Sequence, residues 1–383
     1  MTTGDNSDGG GVFTATGVVT LTESTLSGNQ TTGDGSAGGG ILVNTGTLNL
    51  LSSAVVGNQT EGVSSWGGGI RTYTGDVNLQ NSTVSGNSTE GDGSNGGGIH
   101  SYAGDISVVN STISGNSAID ADGGGLWFNR STVSIINSTI TGNSASGEGG
   151  GLSIFRGDND EVLTIRNSII AGNSDNGTAP DFEAPDNPSI NLVVSNSLIG
   201  DNTSTTLVAA AVGSPDANGN LVGTTSSLID PLLGPLQDNG GPTQTHALLA
   251  GSPAIDAGDN ALAVDANGDP LINDQRGSGF DRIFDGTVDI GALESGAPTF
   301  LPGDVDQNGM VNFLDINPFI EVLASNSFQA EADANQDGVV NFLDINPFIG
   351  LLSSQRSLTT AQFFAAAKTP PCLLYTSPSP RDS

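Results

Sequence analysis

Residues 67–87 read GGGIRTYTGDVNLQNSTVSGN, and variants of this stretch recur through the first half of the chain. The triple glycine that opens it occurs six times, at 9–11, 38–40, 67–69, 96–98, 123–125 and 149–151, so the spacing is 29, 29, 29, 27 and 26 residues. A repeat of this length indicates a solenoid, in which each unit packs only on its neighbours.

Apolar residues keep the same positions in every repeat. In the third repeat they are Ile70, the alternating pair Val77 and Leu79, and Val84, followed by Asn87. Alternation with a period of two marks a strand with one buried face, so three short strands per turn predict a parallel β-helix. The asparagines then form a column that can stack its amides. A helical-hairpin repeat is the rival, but the repeats lack a 3.6-residue apolar stripe and are rich in glycine.

The repeat pattern and the loop composition divide the chain into segments. Regular and then irregular coils are predicted over 1–235, a C-terminal coil or cap region over 236–294, a proline-containing linker over 295–303, a second and closer repeat over 304–354, and a tail over 355–371. Residues 372–383 resemble the in-frame translation of a sequencing adaptor and are excluded from the fold.

The charge balance limits the partners. The net charge is −32, and in the regular coils the only cations are Arg71, Arg130, Arg156 and Arg166, which argues against nucleic acid and against anionic surfaces. No apolar run reaches the roughly 18 residues that a membrane-spanning helix needs. Residues 2–11 align with 31–40, so the chain begins in mid-coil; we expect an extracellular or cell-surface protein whose signal peptide was lost with a truncated N-terminus.

Residues 304–350 hold two nearly identical twelve-residue loops with the ligand spacing of calcium sites. Calcium takes roughly six to eight oxygen ligands around a tight turn, supplied from positions 1, 3, 5, 7, 9 and 12 of such a loop. In the first loop these positions hold Asp304, Asp306, Asn308, Met310, Asn312 and Asp315, and in the second Asp333, Asn335, Asp337, Val339, Asn341 and Asp344. Met310 and Val339 would contribute backbone carbonyls. Two Ca²⁺ ions are therefore predicted.

Each loop is followed by apolar residues at helical spacing, in the sequence VNFLDINPFI that occurs at 311–320 and again at 340–349. Two short helices are expected to pack on each other, and so small a unit needs metal to fold. Pro318 and Pro347 are expected to kink these helices or delay their starts.

The aspartate at position 12 and the duplication resemble type I dockerin repeats. The resemblance implies calcium-dependent binding to a cohesin-like partner. The Phe-Leu pair before each Asp-12 and the proline depart from cellulosomal dockerins, so attachment to another surface or matrix protein stays open.

Residues 238–258, together with Asp274–Gly277, Arg282 and Asp289–Glu294, resemble the signature of choice-of-anchor Q surface proteins. The coils resemble the repeats of polymorphic outer-membrane proteins. These resemblances imply a secreted right-handed parallel β-helix followed by an anchoring device. Arg276 and Arg282 lie among Asp274, Asp281, Asp285 and Asp289, which we interpret as a structural ion-pair cap.

No catalytic residues are assigned. We interpret the acids at the coil corners as solvated loop residues, with a shared calcium site as the alternative: Asp34, Asp92, Asp120, Asp122 and Glu148. Another corner holds Asp158, Asp160 and Glu161, but no hydrolase signature accompanies them. His100 and His246 have no evident partner in the sequence. Trp66, Tyr73, Tyr102 and Trp127 could stack a sugar, although corner packing explains them as well.

The sequence as a whole predicts a non-enzymatic, adhesin-like or matrix-binding β-helix attached through a calcium-dependent module, with polysaccharide as a candidate ligand. A polysaccharide lyase or glycoside hydrolase recruited to a scaffold is the first alternative, and a structural spacer is the second. Converging carboxylates in one cleft would favour the enzyme.

Overall fold

The structure is a computed structural model of the chain, and it describes residues 1–155, 162–177, 179–183, 190–296, 303–306, 311–325, 328–335 and 339–354. The chain forms two compact units, Met1–Thr299 and Phe300–Ser383. Among the described residues, no helix has the length and apolarity needed to cross a lipid bilayer.

The first unit is a parallel β-solenoid of about six turns, as the repeat predicted. Each turn contributes strands to three parallel sheets. Sheet 1 contains Val12–Thr22, Ile41–Leu51, Ile70–Thr72, Asp76–Gln80, Ile99–Ser101, Ile106–Val109, Leu126–Phe128, Thr132–Ile136, Leu152–Ile154, Val162–Arg166, Phe182–Glu183 and Asn191–Ser195. Sheet 2 contains Thr25–Ser27, Ala54–Val56, Thr83–Ser85, Thr112–Ser114, Thr139–Thr141, Ile169–Ile170, Leu198–Ile199 and Leu221–Val222. Sheet 3 contains Gln30–Thr31, Gln59–Thr60, Ser88–Thr89, Ser117–Ala118 and Ser144–Ala145.

The strand register stacks equivalent residues of successive repeats, which confirms the predicted aliphatic ladders. Ile70 pairs with Ile41 on one side and Ile99 on the other, and Val84 pairs with Val55 and Ile113 in the same way. These side chains are fully buried. The core is therefore a narrow aliphatic column, and each turn is stable only because its neighbours cover it.

The predicted asparagine column is a continuous hydrogen-bonded ladder inside the corner between sheets 2 and 3. Asn116 Oδ1 accepts from both the backbone N–H and the Nδ2 of Asn87 at 3.0 and 2.9 Å, and Asn116 Nδ2 donates to Asn143 Oδ1 at 2.9 Å. The ladder ends on a carboxylate, since Asn173 donates to Asp181. A Cβ on Gly98 would stand 2.9 Å from Cγ of Asn116, so the glycine and the asparagine require each other.

We expect Asn116→Ala to lower the free energy of unfolding by about 2–3 kcal/mol, because it leaves the buried N–H groups of Asn87 without an acceptor. The measurement is chemical denaturation of the solenoid. Asn44→Ala, which removes an exposed amide from sheet 1, is the matched control and should have little effect. Equal losses in the two variants would contradict a structural role for the ladder.

Residues 238–294, called the strap below, lie along the outer side of sheet 2 rather than continuing the stack of coils. The strap begins within an antiparallel hairpin of Leu233–Gln237 and Thr245–Leu248 and includes the 3-10 helix Asn260–Leu262. Its Ile290 and Ala254 pack against the outward side chains of sheet 2, Ile169 and Leu198 among them. The region was predicted as a C-terminal coil or cap, and it covers the side of the coils.

The second unit contains two copies of a 3-10 helix followed by an α-helix. The first copy is Phe313–Asp315 and Ile316–Ser325, the second is Phe342–Asp344 and Ile345–Ser354, and a further 3-10 helix, Ala330–Ala332, lies between them. Phe319 and Phe348, equivalent residues of the two copies, stack with ring centroids 4.1 Å apart and are buried. Each α-helix begins two residues before its proline, where the missing N–H leaves no intrahelical bond unmade.

Candidate functional site

The first loop brings three carboxylates together. Single oxygens of Asp304, Asp306 and Asp315 all lie within 4.8 Å of one another. Asp304 and Asp315 are buried and Asp306 is exposed. Because hard oxygen ligands at such separations suit Ca²⁺, this donor set fits the predicted ion. In the described part of the chain, no other group of three or more His, Cys, Asp or Glu meets this criterion, the corner acids of the solenoid included.

The position-12 aspartate closes each loop in the same way. Asp315 Oδ1 accepts from the backbone N–H of Asp306 at 3.0 Å, and its Oδ2 accepts from that of Asn312 at 2.7 Å. In the second loop Asp344 accepts from Asn335 at 3.1 Å and from Asn341 at 2.8 Å. The shorter aspartate therefore reaches both the beginning and the end of its loop, and both loops are closed alike.

The position-9 asparagines start the helices. Asn312 Oδ1 accepts from the backbone N–H of Leu314 at 2.8 Å, and Asn341 Oδ1 accepts from that of Leu343 at 2.7 Å. Each is the N-cap of its 3-10 helix and forms a capping box with the position-12 aspartate. This arrangement fixes the loop to the helix that follows it, so ordering of the loop is coupled to formation of the helix.

The predicted ligands fall into two groups. The structure describes Asp304, Asp306, Asn312 and Asp315 of the first loop and Asp333, Asn335, Val339, Asn341 and Asp344 of the second. The remaining predicted ligands, Asn308, Met310 and Asp337, lie outside the described residues, so the ligand sets and the number of ions remain predictions.

The chain therefore contains a parallel β-solenoid and, after it in sequence, a duplicated loop-helix unit with the ligand spacing of calcium sites. Residues 302–352 match the family model of the dockerin type I domain. Domains of this family bind calcium and cohesins and are typically found in extracellular or cell-surface proteins. No curated protein and no solved structure matches the chain.

The solenoid carries an acidic cluster that the sequence showed only in part. Glu183 is buried, and Glu148 and Asp122 lie beside it. Burial, a hydrogen bond with the Glu148 side chain and the charge of its neighbours raise the pKa of Glu183 to about 8, while Ser153 Oγ donates to it at 3.2 Å. The sequence analysis assigned no role to Glu183, which falls within the predicted coils of 1–235. The available signal was Phe182, which pairs with Leu152 and so continues the apolar position after the triple glycines.

Because the pKa of Glu183 is raised above its ordinary value of 4.5, the folded state binds this proton more tightly than the unfolded state does. The stability that this group contributes should therefore be full at low pH and be lost as pH rises from about 4.5 to about 8. Melting temperatures measured across this range in excess EDTA should show a loss that Glu183→Gln reduces, while Glu294, whose pKa burial raises to about 7, contributes a part that remains. An unchanged pH dependence in the variant would contradict this account.

The strap contains two ion pairs that include its two arginines. Arg276 pairs with Asp274 at 2.6 Å, as the ion-pair interpretation expected, but Arg282 pairs with Glu294 at 3.0 Å, outside the predicted aspartates. Arg282 is fully buried and Glu294 almost so, and burial raises the pKa of Glu294 to about 7. The four charged side chains of these two ion pairs contact protein groups, which favours a packing role.

His246 also has partners that the sequence could not show. Its Nε2 lies 2.8 Å from Ser114 Oγ and its Nδ1 lies 2.7 Å from the carbonyl oxygen of Gly234. The imidazole therefore joins the hairpin to sheet 2, and burial lowers its pKa. The acids Asp158, Asp160 and Glu161, with Arg156, lie outside the described residues.

Proposed function

We propose that this protein is an extracellular or cell-surface, adhesin-like solenoid that a dockerin-type module fastens to a cohesin-like receptor in the presence of calcium. The observation that carries the proposal is the duplicated closure of the calcium loops, in which Asp315 and Asp344 make the same pair of backbone hydrogen bonds. The strap signature supports grouping the chain with the choice-of-anchor Q surface proteins.

The receptor-binding surface of the module is proposed to be apolar. Phe313 and Leu314 are 71% and 68% exposed, and their equivalents Phe342 and Leu343 are 80% and 68% exposed. Exposed pairs of large apolar side chains are typical of interaction sites. Since each pair immediately precedes a position-12 aspartate, the calcium loop holds it in place.

The test is capture of the full chain on immobilised type I cohesin, with calcium and with EDTA. We expect capture only with calcium and loss of capture in the double variant Phe313→Ser, Phe342→Ser. Glu321→Gln, which changes an exposed charge on the first α-helix, is the control and should bind normally. Capture that survives EDTA or the double variant would refute this mode of attachment.

A second function is favoured by one observation. Glu183 contacts Glu148 and feels the charge of Asp122, and its raised pKa would keep it protonated as a general acid. Against an enzyme, Glu183 and Glu148 are in hydrogen-bond contact, whereas glycosidase carboxyl groups stand about 5–9.5 Å apart. For this reason we propose a non-enzymatic role.

Size-exclusion chromatography of polysaccharides after incubation with the protein separates the two functions. A non-enzymatic solenoid leaves chain lengths unchanged, with calcium and with EDTA. Shortening of the polysaccharide by the parent protein but not by Glu183→Gln would establish an enzyme and overturn the adhesin proposal.

A further inference from the structure

The outer face of sheet 1 on the third to sixth coils, together with the corner that carries Trp66, concentrates aromatic side chains, which are scarce in this protein. Both tryptophans and two of the three tyrosines of the chain lie there, although aromatic residues make up only 5% of the sequence. The register places Arg71, His100 and Trp127 side by side on successive strands. Tyr73 and Tyr102 stack beside them, two residues further along each strand. We call this surface the aromatic patch.

The rings of the aromatic patch cover one another. His100 stacks on Trp127 with centroids 4.3 Å apart and planes at 9°, and Tyr73 stacks on Tyr102 at 5.0 Å and 10°. The Arg71 guanidinium lies 4.6 Å from the ring centroid of Trp66. Since the stacked partners belong to successive coils, their planes stand across the solenoid axis and their edges face outward. The simple stacking of a sugar on an open ring face is therefore disfavoured.

The aromatic patch also collects polar atoms that the protein leaves without partners. In the described part of the chain, seven buried side-chain nitrogen or oxygen atoms have no hydrogen-bond partner, and four of them are here: Arg71 Nε, His100 Nδ1, Trp127 Nε1 and Asn129 Oδ1. His100, Trp127 and Asn129 are at most 5% exposed. Buried polar groups in folded proteins almost always have a partner, so this cluster needs one from outside the chain.

The chemistry of the patch selects the ligand. Aromatic edges carry partial positive charge, and the guanidinium and indole N–H groups are hydrogen-bond donors. The surface therefore favours a ligand rich in oxygen acceptors. Asn129 Oδ1 is an acceptor without a partner, so the ligand should also carry a hydrogen-bond donor. Hydroxyl groups can act as both hydrogen-bond donors and acceptors. The net charge of −32 repels polyanions at long range, which favours an uncharged polymer.

We propose that the aromatic patch is a glycan-binding site that takes a neutral polysaccharide chain between the exposed rings of Tyr73 and Phe155. Tyr73 and Phe155, 46% and 52% exposed, border the site, and the sugar hydroxyls complete the hydrogen bonding of the buried polar atoms. This inference rests on the proposed adhesin-like function of the solenoid and names the class of ligand that the solenoid would bind.

Tryptophan fluorescence tests the site directly, because both tryptophans of the chain belong to it. The full-length protein is titrated with cellohexaose, xylohexaose and mannohexaose, all in EDTA. At least one probe should change the emission saturably. The double variant Tyr73→Ala, Phe155→Ala should bind that probe at least about tenfold more weakly. Val193→Ala, another exposed apolar residue on sheet 1, is the control and should bind as the parent does.

Emission that responds to none of the three probes would overturn the glycan site, and so would binding that the double variant retains. Because the titrations are done in EDTA, their outcome does not depend on the calcium-dependent attachment. Glycan binding without calcium-dependent capture would refute the attachment alone, whereas capture without glycan binding would refute only the patch.

Discussion

Removal of calcium should unfold the C-terminal unit while the solenoid stays folded. Among the described residues, the hydrophobic core cluster of this unit has five buried members, Val305, Phe319, Ala332, Val340 and Phe348. A core this small does not offset the chain entropy lost on folding, so the binding free energy of the ions supplies the difference. Without the ions, the carboxylates of the first loop also repel one another at short range.

Circular dichroism during EGTA titration should therefore show loss of the helical signal from Ile316–Ser325 and Ile345–Ser354 and retention of the β signal. Asp315→Ala with Asp344→Ala should give the same spectrum even in excess calcium, because both aspartates also close their loops. Glu321→Gln should behave as the parent. Helices that persist in EGTA would show that the core alone suffices.

Arg282→Ala is expected to release the strap from sheet 2 and to cost about 3–5 kcal/mol of stability. The Arg282 guanidinium is fully buried and donates to Asn110 Oδ1 at 3.2 Å, to two strap carbonyls and to Glu294. Its removal leaves the Glu294 carboxylate buried without its cation. The variant therefore loses a bond to the coils and disrupts the interior of the strap together.

Denaturant unfolding and limited proteolysis of the same samples measure this effect. Proteolysis of the variant should cut within 238–294 under conditions that leave the parent intact. Arg130→Ala removes an exposed guanidinium from the coils and is the control for loss of charge, with an effect within about 0.5 kcal/mol. If the two variants are equally stable, the strap is held by its apolar contacts and not by Arg282.

The strap shows why some residues could be assigned from sequence and others could not. Gln275 is fully buried and donates to Thr83 Oγ1 at 2.8 Å and to Thr243 Oγ1 at 2.9 Å, and Thr112 Oγ1 donates to it at 2.6 Å. Partners 163 and 192 residues away leave no trace in local spacing. Residues 274–277 could be singled out from the sequence, but the surface that Gln275 contacts could not.

Glu183 and the aromatic patch illustrate a second limit. The register predicted which strands are neighbours, and from it Arg71, His100 and Trp127 could be aligned in one column. His100 points away from the core, yet it is buried. Its burial depends on how the corner that carries Trp66 folds against the sheet. Likewise, Glu183 meets Glu148 only because the strand Phe182–Glu183 pairs with Leu152–Ile154.

The sequence by itself determined the solenoid, its register and the calcium loops. In these elements the interacting residues recur at a fixed interval or lie within twelve residues of one another, so periodicity and spacing specify the geometry. The tertiary structure alone decided the path of the strap, the partners of His246 and Arg282, the elevated pKa of Glu183 and the mutual stacking of the aromatic patch. Those features depend on contacts between segments that are distant in sequence and on the burial that these contacts produce. Neither the contacts nor the burial follows the repeat.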